Sequence, residues 1–258
     1  MKEKQLTVKP RGKRRYHGLK IANTLMAIFL GIELVIVLVG ITMLHSTLSR
    51  TPKFKLENFS TSQSTLIYDR EGKQIADVGN QLRENVTYEQ LPTSLVDAFL
   101  SVEDSRFFAH NGFDTPRFTK SVIETILHSN MQGGSTFTMQ LVKLTYFVND
   151  ETGKTYTQSI DYKLQQIALS LSLEKKSSKK DIFTMYVNKM NFGGIGNIRG
   201  VQKASLQYFG KKVSELSTSE SALLAGIVNS PYSYDPHNYL DKATARRDTV
   251  LDLMVYHG

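Results

Sequence analysis

The sequence predicts a mainly α domain that opens on a small β hairpin and is preceded by one transmembrane helix. Three observations carry this: a long apolar run near the N-terminus, helical periodicity from Leu91 nearly to the end, and one strand–turn–strand pattern between them. The chain has 258 residues, 40% hydrophobic and 22% charged, enough for one substantial domain and an appendage. Cysteine is absent, which excludes disulfides, thiol catalysis and thiolate metal sites.

The first element is the apolar run. Ile21 to Leu44 carries one charge, Glu33, and at about 1.5 Å per residue its 24 residues reach roughly 36 Å, against a hydrocarbon core of about 30 Å. It is too long for a secretory signal, and no small-residue cleavage site comes after Gly40. Residues 1–20 form a basic tail: eight Lys or Arg against Glu3 give it +7 of the chain's net +8. Basic charge before a span keeps the N-terminus cytoplasmic and exports the residues beyond Leu44. The high pI therefore describes a tail and gives no ground for nucleic-acid binding. Glu33 is costly at mid-span, about 2.5–3.5 kcal/mol on insertion scales. Either a partner helix or protonation accommodates it, or the other apolar residues carry it across.

The second element is a polar linker, residues 45–63, and after it comes the hairpin: Leu66–Tyr68, a turn at Asp69–Gly72, and Lys73–Val78. Helices are expected at about 94–109, 117–129, 135–147, 160–175, 179–190, 200–209, 218–229 and 241–256, with loops at Gly193–Gly196 and Ser230–Pro236.

Thr93 or Ser94 can cap the first of these helices, whose Val96, Leu100 and Phe107 fall on one stripe. Glu103 lies on that stripe, while Asp104 points away with Asp97 and Ser101. A carboxylate on an apolar stripe is partly desolvated, which suits a general base. Taken alone, Glu103 reads more simply as a glutamate at the rim of the core. In Gly133-Gly134-Ser135-Thr136-Phe137-Thr138-Met139-Gln140, the glycines allow a tight loop and Ser135 can cap the helix. Phe137, Leu141 and Leu144 form its buried face, and Thr136, Gln140 and Lys143 the opposite one. A helix N-terminus with such a face suits an anion such as a pyrophosphate, although by itself it is an ordinary capped helix. In Tyr162-Lys163-Leu164-Gln165-Gln166, Leu164, Ile167 and Leu171 are the expected buried face, with Lys163 and Gln166 on the solvated side. Two patterns are discarded. Ser177-x-x-Lys180 lacks the companion motifs of penicillin-interacting enzymes, and the six histidines show no metal-ligand spacing.

In order, these segments resemble family 51 of the glycosyltransferases, which comprises monofunctional peptidoglycan polymerases and the N-terminal halves of class A penicillin-binding proteins. Glu103-Asp104, Phe107, His110 and Gly112 complete the family's first motif. Gly133 to Gln140 matches the second, with Met139 in place of a glutamine. Lys179, Ile182, Tyr186 and Asn188 fit a later pattern, and Tyr208–Lys211, Glu220–Pro231 and Arg246 with Val250-Leu251 extend the match to about residues 64–254.

The resemblance implies a lysozyme-like helical glycosyltransferase domain over 64–258. Residues 116–130, with Phe118, Val122, Ile123, Ile126 and Leu127, are the candidate for a membrane-dipping jaw, or else pack in the core. It implies that Glu103 deprotonates the sugar 4-hydroxyl of lipid II for inverting attack on a lipid-linked strand, and that Lys143 and Lys163 receive the leaving undecaprenyl pyrophosphate. Asp104, Phe107, His110, Gly134, Ser135, Thr136 and Gln140 are the other implied substrate-binding residues. The implied partners are lipid II, the lipid-linked glycan strand, the bacterial membrane and other cell-wall synthesis proteins. No cofactor is assigned, beyond room for a divalent cation such as Mg at the leaving group.

The third motif departs from the family. Arg-Lys-x-x-Glu here reads Tyr162, Lys163 and Gln166, so the position of the second catalytic acid holds a neutral amide. Thr184 and Gln202 also stand where acids are expected, so three acids are missing from what would be one cleft. Three readings remain open: an active polymerase, a non-catalytic relative that binds lipid-linked glycan or serves as an assembly partner, and a lysozyme-like hydrolase.

Overall fold

The computed structural model describes residues 12–61, 65–72, 74–78, 84–128, 133–148, 159–194 and 198–258. It divides into two units, Met1–Arg50 and Thr51–Gly258. In the first, helix α1 (Gly12–Ser49) contains Leu19–Ser49, 31 residues of mean hydropathy 2.6, long and apolar enough to cross a membrane. Its apolar side chains are exposed all round, and Thr24 and Thr42 return their hydroxyls to the Lys20 and Leu38 carbonyls at 2.9 and 3.0 Å, so neither needs water. The helix runs five residues past the expected Leu44. Arg50 ends it, its main-chain N–H donating to the Thr47 carbonyl and its Nε to the Ser46 carbonyl.

The second unit begins inside the stretch read as a linker. Leu56–Phe59 is a 3-10 turn, and Phe59 is buried against Phe54 and Tyr146, each ring centroid 5.7 Å away. The Tyr146 hydroxyl accepts from the Lys55 N–H at 2.9 Å and donates to its carbonyl at 3.2 Å. Two aromatic anchors outweigh the polar composition around them. The hairpin comes next: β1 (Thr65–Tyr68) runs antiparallel to β2 (Gln74–Val78), with Thr65 opposite Val78. Gly72, at φ +81°, turns the chain between them.

The remainder is helical, as expected: α2 (Thr93–Glu103), α3 (Thr115–His128), α4 (Phe137–Tyr146), α5 (Ile160–Glu174), α6 (Lys179–Lys189), α7 (Val201–Phe209), α8 (Thr218–Ile227) and α9 (Leu240–His257). Neither Thr93 nor Ser94 caps α2. Its N-cap position is Pro92, and the Ser94 hydroxyl pairs with Ser221 instead. The helix also stops at Glu103, six residues short of expectation, because Asp104 leaves the helical backbone at φ −158°, and Phe107–Ala109 is a separate 3-10 turn. The expected glycine loop is partly strand, β3 (Asn191–Gly193) pairing with β4 (Ile198–Arg199). The discarded Ser177-x-x-Lys180 stretch is a helix start: the Ser178 hydroxyl accepts from the Asp181 N–H, and the Asp181 carboxylate accepts from the Ser178 N–H. Of the proposed jaw, α3 carries Phe118, its ring tilted against Phe113 at 5.1 Å, and an exposed Ile123; the side chains of Val122, Ile126 and Leu127 lie outside the described residues.

The core that carries the site is aromatic. Phe99, Phe107, Phe137, Phe183 and Tyr186 are all without exposed surface, and Phe137 meets Phe107, Phe183 and Tyr186 edge-on at 5.3, 5.5 and 4.6 Å. Truncating Phe137 to alanine is expected to lower stability by about 3–5 kcal/mol, read as a fall in the urea midpoint of the detergent-solubilised protein. A loss under about 1 kcal/mol would show that the cluster collapses freely around the gap.

Candidate functional site

The end of α2, the length of α4 and the first turns of α5 meet at a cleft of about 480 Å³. Glu103, the last residue of α2, lines it together with Ser135, Gln140, Lys143 and Gln166, and Arg117, Met190, Val228, Asn229 and Arg246 are also part of the lining. Glu103 is half-buried. One carboxylate oxygen accepts from the Gln140 Nε2 at 2.8 Å, and its main-chain carbonyl accepts from the Arg117 guanidinium at 2.6 Å.

Beneath the cleft sits Asp104, with no exposed surface. The structure corrects its expected outward direction: it is the more buried of the acidic pair. It accepts from the His110 Nε2 at 3.0 Å and from the Phe137 main-chain N–H, the first residue of α4, at 3.0 Å. His110 Nδ1 accepts the Gly112 N–H at 3.2 Å, so the ring proton is on Nε2 and points at the carboxylate. Arg117 stands 3.8 Å away on the other side. Thr136, not Ser135, caps α4: its hydroxyl accepts from the Met139 N–H and donates to the Gly112 carbonyl at 2.7 Å. Phe107 and His110 are likewise buried, so Asp104, Phe107, His110 and Thr136 do not line the cleft but hold its wall. Gly134 lies against Ser121 of α3, where an added Cβ would come within 3.3 Å of that side chain.

Ser135 is freed from capping and instead accepts from the Lys163 ammonium at 2.7 Å. Burial and then the nearby Lys143 ammonium push Lys163 below the usual lysine range. Two crowded ammonium groups beside a helix start favour an anion between them. Helix α5 presents a different face from the one expected. It buries Gln166, Leu169, Ser170 and Leu173, and leaves Leu171 41% exposed. Gln166 therefore reaches the cleft from a buried position, not a solvated one. The Tyr162 ring packs edge-on against Phe147 at 4.8 Å, and burial raises its phenol, an effect the nearby Gln166 side chain opposes. Positions 162 and 166 are thus neutral together.

The other two substituted acid positions lie elsewhere. The Thr184 hydroxyl returns to the Lys180 carbonyl at 2.8 Å, and Gln202 accepts from the Val213 N–H at 3.0 Å. Only Gln166 of the three lines the cleft.

Sequence spacing missed one spatial cluster. Asp104, His110 and Asp114 bring ligand-type atoms within 4.8 Å of one another. Asp114, however, accepts from the Arg117 N–H and pairs with the Arg106 Nε at 3.1 Å. With His110 committed to Asp104 and two guanidinium groups alongside, the cluster is an ion-pair network. Arg117, Asn229 and Arg246 are lining residues that sequence reasoning did not single out for the site. Arg246 lies in the last matched segment, and Gly226 of α8 lets its stem pass, since a Cβ there would meet its Cγ at 3.0 Å.

The sequence model of the transglycosylase family matches residues 71–255. Penicillin-binding protein 1A of Streptococcus pneumoniae is 36% identical over 240 residues, covering 93% of this chain and 32% of its own length. Penicillin-binding protein 1A/1B of Bacillus subtilis is 33% identical over 250 residues, covering 96% and 26%. The chain thus spans about a third or less of the length of these relatives. A crystal structure of penicillin-binding protein 1A from Haemophilus influenzae aligns with 76% of this chain and 18% of its own, at 24% identity and a TM-score of 0.40.

The lysine pair makes anion binding pH-dependent in a defined direction. Lys163 must be charged to bind, and burial and Lys143 lower its free-state value, so affinity for inorganic pyrophosphate is greatest where Lys163 is protonated. It falls as pH rises through the range below the usual value of about 10.4, with proton uptake on binding. Calorimetry in buffers of different ionisation enthalpy should show that uptake, and the Lys163→Met variant should lose Lys163's share of it. Equal uptake in both proteins would remove Lys163 from the site.

Proposed function

This chain belongs to the transglycosylase family, the family-51 glycosyltransferases, and on that premise we propose that its cleft polymerises lipid II into β-1,4-linked glycan strands for the bacterial cell wall. The observation that carries this reading is one carboxylate, Glu103, fixed by Gln140 in the same cleft as Lys143, with the Lys163 ammonium behind it on the lining Ser135. Glu103 takes the proton from the 4-hydroxyl of lipid II. The oxygen attacks the anomeric carbon of the lipid-linked strand, and the bond from that carbon to the phosphate oxygen breaks with inversion. Undecaprenyl pyrophosphate leaves with the electron pair, and Lys143 and Lys163 offset its growing charge.

Helix α1 serves as the membrane anchor, with its basic tail cytoplasmic and the domain outside, where a lipid-linked substrate and other cell-wall synthesis proteins can meet it. A divalent cation does not fit the cleft. Among the described lining residues Glu103 is the one carboxylate, Gln166 is neutral, and Arg117, Lys143 and Arg246 line the same cavity. Magnesium is held by carboxylate and phosphate oxygens, and the protein offers it a single carboxylate there. Positive side chains supply the charge that a metal would.

The test is incubation of the purified protein with labelled lipid II. Polymer is expected, and Glu103→Gln should cut its formation by about 10²-fold or more while lipid II is still retained. Retention without polymer in the wild type would identify a binding relative, and shortening of preformed glycan a hydrolase. Undiminished polymerisation by Glu103→Gln would remove the base.

A further inference from the structure

We propose that Tyr186 is a positioning residue for Glu103, acting through the side-chain amide of Gln140. The inference rests on Glu103 being the base. The Gln140 amide has two unlike ends, and only its NH₂ end can donate to a carboxylate. With Oε1 turned toward Glu103, two acceptors would face each other. The carboxylate selects the NH₂ end, Gln140 Nε2 lying 2.8 Å from it, and the Tyr186 hydroxyl holds the amide there by donating to Gln140 Oε1 at 3.2 Å. Phenol to amide oxygen, amide nitrogen to carboxylate: that is the one arrangement in which every contact pairs a donor with an acceptor.

The phenol is suited to the task. It has no exposed surface, and its ring is held edge-on by Phe99 at 6.1 Å and Phe137 at 4.6 Å, so the hydroxyl has one direction. Burial, and then the charges of Glu103 and Asp104, raise it well above the ordinary tyrosine range, so it remains a donor. Its helix is fixed at both ends. Ser178 and Asp181 cap the start, and near the end Asn188 pairs with both main-chain groups of Val86 at 3.0 and 2.9 Å. Tyr186 thus sets the amide, and the amide holds one oxygen of Glu103, leaving the other to receive a proton from the substrate.

A double-mutant cycle tests this. Rates of lipid II polymerisation are compared for wild type, Tyr186→Phe, Gln140→Ala and the double variant, with Glu103→Gln as control. Tyr186→Phe keeps the ring and should lower kcat by about 10–100-fold, the range seen when a second-layer hydrogen-bond partner is lost, with KM within about twofold. In the Gln140→Ala background the same change should have no further effect, because the amide it orients is gone. Equal loss in both backgrounds would mark Tyr186 as a packing residue only and overturn the inference, as would a wild-type kcat in Tyr186→Phe while Glu103→Gln is inactive. An active Glu103→Gln sinks the base assignment itself, and a wild type that makes no polymer removes both. Should Tyr186→Phe fold poorly, Gln140→Leu, which lacks both amide ends, should reproduce the kcat loss at unchanged melting temperature; full activity there also overturns the inference.

Discussion

A carboxylate without exposed surface must be surrounded by donors, and Asp104 receives its donors from three stretches of chain. His110 supplies a ring N–H from the loop after α2, Phe137 supplies the first free N–H of α4, and Arg117 of α3 stands within ion-pair range. Leaving such a charge unpaired would cost several kcal/mol. The arrangement therefore locks the end of α2 onto the start of α4. Glu103 is the residue before Asp104 and Gln140 lies one turn into α4, so the same ion fixes the distance between them. Thr136 reinforces the junction by capping α4 while bonding the Gly112 carbonyl. The cleft is thus built on a buried charge that never faces it.

The composition of the cleft depends on the side chains that frame presents. One acid, several cations and a neutral side chain at position 166 make a groove suited to a diphosphate and poorly suited to a metal. The exchange at 162 and 166 is coordinated in physical terms: a buried Gln166 needs no counter-charge, and Tyr162 replaces a guanidinium with a ring that packs on Phe147.

Much of this is legible in the amino-acid sequence because it depends on local pattern. The apolar run, the helix periods, the hairpin turn at Gly72 and the motif residues that line the cleft are all set by neighbours within a few positions. The features that local pattern misses are non-local. Asp104 ends α2 because its partners include the Phe137 main chain as well as His110, and no window around Glu103 reaches residue 137. Periodicity selects the wrong face of helix α5 because its buried side includes Gln166 and Ser170, whose hydroxyl satisfies itself on the Gln166 carbonyl at 2.7 Å. Phe54 and Phe59 are hidden by polar surroundings, and Asn229 and Arg246 reach the cleft from elements distant in sequence.

Gly112 shows how far a small omission reaches. It adopts φ +85°, and a Cβ there would sit 2.9 Å from the Glu174 side chain and 3.0 Å from the Ser170 carbonyl. The loop that carries His110 therefore rests directly on the backbone of α5, the helix that also delivers Lys163 and Gln166. A methyl group at this point would act as a wedge, levering that helix outward. The loop would be strained too, since a side chain is disfavoured at this φ, and the displacement would pass along α5 to the cleft.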